Sequence, residues 1–187
     1  ILNPFEKYSE KQLLIASVLI TILGSLIGSY CQVIYDGFLD VHSYENTFSH
    51  VVLENVINGM MMTLFLFALG KIINNKTRFI HALNTAFIAR VPIYLVALLT
   101  NFSVFDRVEK EIERNTGNLE ILTFQPVDLA LITILSFLML LLLAYTIILL
   151  VNGFKIASYP KKWFHYLLLG IVILVVESLT KYLIYQF

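Results

Sequence analysis

The stretch VDLALITILSFLMLLLLAYTIILLVN, residues Val127–Asn152, decides the fold class. Asp128 is its only charged residue. It shows no polar stripe that would let one face of a helix meet water, and a helix apolar all round is buried in a core or in lipid. Its length exceeds the ~20 residues needed to cross a hydrocarbon layer. Four further runs of the same kind occur at Gln12–Ile34, Val51–Ile72, Phe79–Thr100 and Trp163–Tyr185. The first is longer than the apolar region of a signal peptide, and no small-residue cleavage site follows it. The reading is an all-α polytopic membrane protein, a bundle of five transmembrane helices forming one domain over residues 1–187.

Composition agrees. Of 187 residues, 58% are hydrophobic and 14% charged, against about 45–50% and about 25% in soluble domains. Too few polar side chains are present to cover a water-soluble fold of this size. Intrinsic disorder is excluded on the same ground. Thirteen Lys and Arg balance thirteen Asp and Glu, which leaves no basic excess for nucleic acid. The single cysteine, Cys31, cannot form a disulfide within the chain.

Local signals place the ends. Ser9-Glu10-Lys11-Gln12 reads as a capping box, and Pro126 and Pro160 suit the first turns of the fourth and fifth helices. The polar turn Asn74-Asn75-Lys76-Thr77 joins spans two and three as a helical hairpin. Pro92, inside the third span, predicts a kink just ahead of it. Lys7, Lys11, Lys71, Lys76, Arg78, Lys155, Lys161 and Lys162 fall on one side of the membrane. Arg107, Lys110, Arg114 and Lys181 fall on the other, and the first loop, Tyr35–His50, has neither residue type. Positive-inside then predicts a cytoplasmic N-terminus and an outside C-terminus.

Polar residues within apolar spans supply the candidate site, because charges in lipid are expensive and are paired or face a cavity. Arg90 lies near the middle of span three and Glu177 at a neighbouring depth in span five. Asn58 falls at a similar depth in span two, with Glu54 one turn further out. An Arg90–Glu177 clamp, with Asn58 or Tyr94 completing its hydrogen bonds, is the structural reading; a proton or substrate relay is the functional one. Gly24 and Gly28 form a small-xxx-small face for close helix approach, either within the bundle or with a partner. In the third loop, Ser103-x-x-Asp106 starts a short amphipathic helix with Phe105, Val108 and Ile112 on one face, suited to the membrane surface or a docking partner.

No catalytic set appears. His-Glu-x-x-His, a Gly-x-Ser-x-Gly elbow and a glycine-rich phosphate loop are all missing from the sequence. His50 and Glu54 at i,i+4 lack a third ligand, so no metal or other cofactor is expected.

The segments Leu66-Phe67-Ala68-Leu69-Gly70-Lys71, Phe79-Ile80-His81-Ala82-Leu83 and Ala89-Arg90-Val91-Pro92 resemble the Yip domain (Ypt/Rab-interacting protein) family. Val151-Asn152-Gly153-Phe154-Lys155 followed by Lys161-Lys162-Trp163 is similar to that family's junction between spans four and five. Asn3-Pro4-Phe5 and Asp36-Gly37 are similar to bacterial members, especially of Bacteroidetes type. The resemblance implies five spans, a cytoplasmic N-terminus and, for a bacterial member, the inner membrane. Eukaryotic members are trafficking adaptors that associate with Rab GTPases and carry an Asp-Leu-x-Gly-Pro-like motif before the first span. This sequence departs from that motif, so a Rab partner is not expected. Some bacterial members accompany membrane export complexes such as ABC-type transporters. The expected function is therefore a non-catalytic accessory or assembly subunit, not an enzyme, whose partners are the bilayer, other integral membrane proteins and a second copy of itself. The rival is a small transporter or channel using Arg90, Glu177 and Asn58 as its polar path.

Overall fold

In the computed structural model, which describes residues 3–114 and 124–186, the chain is a helical bundle. The helices are α1 (Pro4–Lys7), α2 (Glu10–Cys31), α3 (Phe48–Ile73), α4 (Phe79–Ala89), α5 (Val91–Thr100), α6 (Ser103–Arg114), α7 (Pro126–Ser158) and α8 (Phe164–Ile184). Two short strands, β1 (Val33–Ile34) and β2 (His42–Ser43), pair antiparallel in the first loop with Val33 opposite Ser43. Among the described residues, five segments are long and apolar enough to cross a membrane: α2, α3, α4 with α5, α7 and α8. This is a multi-pass membrane protein.

The third span is the axis of the bundle. In its most apolar stretch 67% of the residues are buried, against 17% in that of α7, and it packs against α2, α3 and α7, while α8 lies against α3. The burial follows from small residues such as Ala82, Ala86, Ala89 and Ala97, which let neighbouring helices close in. The same span is interrupted at Arg90, where α4 ends and α5 begins. Pro92, in the first turn of α5, has no N–H for the preceding turn and its ring crowds the carbonyl there.

The capping box forms: Gln12 donates its N–H to Ser9 Oγ at 3.4 Å, and Ser9 donates its own to Gln12 Oε1 at 3.0 Å. Pro126 opens α7, whereas Pro160 precedes α8 by four residues and sits in the connection. α7 continues past Asn152 to Ser158, because Phe154 and Ala157 still bury against the bundle. It ends at Tyr159 with a left-handed φ of 48°. Gln32 ends α2 in the same way, with φ 51°. Its side chain then donates to Ser29 O and Asn46 O, turning the chain into β1.

Gly24 and Gly28 serve contacts inside the bundle. A Cβ at Gly24 would lie 2.5 Å from the Tyr94 ring, and one at Gly28 would lie 2.6 Å from Tyr35 and 2.8 Å from Val51. The small-residue face of α2 is thus a seat for two tyrosines.

Candidate functional site

The first loop does not stay at the surface. Residues Val33 through Phe38 are all buried, and the chain from Tyr35 to Leu39 descends between the spans. Irregular backbone at membrane depth persists only where protein satisfies its polar groups. Here the intramembrane side chains do so.

Glu54 Oε2 accepts the Tyr35 N–H at 3.0 Å, and Asn58 donates to the Tyr35 carbonyl at 2.7 Å. Glu177 Oε2 accepts the Leu39 N–H at 2.8 Å. Arg90 Nη1 donates to the Gly37 and Phe38 carbonyls at 3.4 and 3.2 Å, and its Nη2 donates to Asn55 Oδ1 at 2.9 Å. Asn55 in turn donates to Ser25 Oγ at 2.9 Å. Arg90 is fully buried. The rings of Tyr35, Phe38 and Tyr94 surround its guanidinium, with centroids 5.5, 5.3 and 5.7 Å away. Such desolvated contacts each contribute about 2 kcal/mol. Glu177 lies seven residues from the end of α8, so the loop reaches about 10 Å below the helix ends.

Arg90 and Glu177 therefore do not clamp one another. They grip the same backbone, one from its carbonyls and the other from an N–H, and no ion pair within 4 Å joins them among the described residues. Asn58 serves the loop and not Arg90. Tyr94 offers Arg90 a ring face, while Asn55 supplies the side-chain acceptor. Asn55 was not singled out from the sequence. Its position three residues before Asn58, on the same helical face, was the available signal. Gly37 is needed because the Glu177 carboxylate occupies the space where a Cβ would stand. The Tyr35 hydroxyl donates to Gly24 O at 3.2 Å.

A second cluster fastens the loop to the end of α8. The buried Asp36 carboxylate meets His42 Nδ1 at 3.0 Å and accepts the Tyr185 hydroxyl at 2.9 Å. That hydrogen bond holds the Tyr185 phenol above its usual value. Lys181 Nζ lies 2.8 Å from Asp40 and 3.6 Å from Asp36. Asp36, Asp40 and His42 offer ligand atoms within 4.8 Å of one another, but the Lys181 ammonium already supplies the cation there.

The third loop carries α6. Arg107 pairs with Asp128 of α7 through Nη2 at 2.6 Å and Nε at 3.4 Å. Phe105, Val108 and Ile112 line a crevice of about 520 Å³ whose far side includes Ile132 of α7.

These contacts define a class: a five-span helical membrane protein with a re-entrant first loop held in a polar socket. No family model, no curated protein and no solved structure matches the chain.

Proposed function

We propose that this protein is a non-catalytic accessory or assembly subunit of a larger complex in the bacterial inner membrane, a Yip-like protein with its N-terminus in the cytoplasm. The observation that carries this reading is the assignment of the intramembrane polar groups. Arg90, Glu54, Glu177 and Asn58 each bond to the backbone of the inserted loop, which makes them parts of a scaffold. A relay needs several ionisable groups along a path, and these groups instead converge on one segment. Recognition then falls to surfaces, and the α6 crevice lined by Phe105, Val108 and Ile112 is one of them. The resemblance to bacterial Yip-like chains supports an ABC-type export complex as the partner.

The test is purification in mild detergent of the wild type, of Val108→Asp, and of a socket variant that keeps an acceptor for the Leu39 N–H, Glu177→Gln. The reading expects one reproducible membrane complex that Val108→Asp releases and Glu177→Gln retains. Solute or ion flux through the protein reconstituted alone, lost in Glu177→Gln and kept in Val108→Asp, would replace it with a transporter. For the orientation, a cysteine label at Asn75 is expected to be shielded from the outside and one at Ser43 to react; both positions are exposed.

A further inference from the structure

The loop that fills the socket also roofs a cleft. Between α3 and the end of α8, under the β1–β2 hairpin, lies a space of about 390 Å³, within the usual ligand-site range of ~300–1,000 Å³. Its apolar side is built from Leu53, Ile57 and Ile184, and its polar side includes Glu54, Tyr44 and Tyr185. Leu53 is 42% exposed on the outer surface of α3, so the apolar side is continuous with the lipid-facing surface.

Glu54 is the unusual member. It is 6% exposed, and both its oxygens accept from neutral donors, Oε2 from the Tyr35 N–H at 3.0 Å and Oε1 from Asn46 at 2.5 Å. No Lys, Arg or His among the described residues comes within 4 Å of it, while Arg90 directs its two Nη groups to the loop and Asn55. A buried acid is ordinarily matched by a cation. Around it acids outnumber the fixed cations: Asp36, Asp40, Glu45 and Glu177 stand at this end of the bundle with Lys181 and Arg90, the first loop contains no Lys or Arg, and the bases lining the cleft itself are the imidazoles of His42 and His50. The exposed rings of Tyr44 and Tyr185 flank the opening, and aromatic faces attract organic cations. A metal ion fits less well. Among the described residues, the His and acidic ligand atoms lining the cleft do not converge, and the one group that does, Asp36–Asp40–His42, holds Lys181.

We propose that this cleft binds an amphiphile with a compact cationic head, an amine or quaternary ammonium directed at Glu54 and the two tyrosines, with its hydrocarbon chain along Leu53 and Ile57. The probe is dodecyltrimethylammonium, titrated into the full chain in dodecyl maltoside and followed by native mass spectrometry. Dodecyl sulfate serves as the head-group control. One saturable adduct is expected, at least tenfold tighter for the ammonium than for the sulfate. Glu54→Gln, which keeps an acceptor for the Tyr35 N–H, is expected to weaken it at least tenfold. Leu53→Trp fills the cleft from an exposed position without touching the socket, and is expected to abolish it. Equal binding of the sulfate, or ammonium binding unchanged in Leu53→Trp, would overturn the proposal. Lysophosphatidylethanolamine in a parallel titration separates two sources of such a head. Glu54-dependent binding of it supports the proposal with a membrane lipid as the source, and Glu54-dependent binding of the simple ammonium alone supports it with a free amine.

Discussion

Replacing Arg90 with alanine removes the one third-span side chain that, among the described residues, hydrogen-bonds both the loop and α3. Two loop carbonyls and Asn55 Oδ1 lose their donor, and an unsatisfied buried acceptor costs about 1–3 kcal/mol. Three ring faces also lose their cation. Against this, a guanidinium no longer has to be kept from water, which returns several kcal/mol. Breaking a buried charged cluster at one member has a net cost of about 3–5 kcal/mol, and that is the loss expected. Arg90→Lys retains the charge without the planar fork, so it should lose about 1–3 kcal/mol through the unmatched acceptors. Asn55→Ala shares a hydrogen bond with Arg90, and the double variant should lose less than the sum of the two singles. Reversible unfolding in mixed detergent micelles measures the four variants against wild type. Arg90→Ala within about 1 kcal/mol of wild type, below the usual cost of one stranded acceptor, would refute the socket.

Gly24→Ala should destabilise by about 1–3 kcal/mol, because its Cβ meets the Tyr94 ring. Gly170→Ala, with open space around the new carbon, should stabilise α8 by about 0.5–1 kcal/mol; the same unfolding assay reads both signs. Gly37→Ala pushes its Cβ against the Glu177 carboxylate and should break the bond to the Leu39 N–H, a charged hydrogen bond worth about 1.5–3 kcal/mol. The cost should shrink in a Glu177→Ala background, where the obstruction is gone, and a double-mutant cycle measures the difference.

The spans were legible because the hydrophobic signal is local: a run of sufficient length identifies itself without knowledge of its neighbours. The same logic singled out Arg90, Glu177, Asn58 and Glu54, since a polar side chain in an apolar run stands out wherever its partner lies. The identity of the partner was not legible. Depth counted along each helix brings Arg90 and Glu177 to similar levels, and pairing opposite charges follows. What intervenes is backbone, which carries no sequence signature as a donor or acceptor. Val33-Ile34-Tyr35 and Phe38-Leu39 did carry a signal, an apolar content unsuited to an exposed loop, but the Asp36-Gly37 turn and Asp40 masked it. Asn55 was overlooked because an amide in a helix is cheap enough to pass as ordinary packing. The Gly24 and Gly28 face was visible, whereas its occupants, Tyr94 and Tyr35, come from a distant span and from the loop.

The central claim is that residues 35–39 are held inside the bundle by side chains of three spans, and amide hydrogen exchange in lipid nanodiscs tests it most directly. The Tyr35 and Leu39 N–H groups bond to Glu54 and Glu177 and belong to no helix or strand ladder, so their protection reports the socket alone. The account predicts exchange as slow as in the centre of the third span. It also predicts that protection is lost at both amides in Arg90→Ala while the α2 and α7 helices stay protected. Exchange at Tyr35 and Leu39 as fast as at exposed Glu45 in the wild type would contradict it.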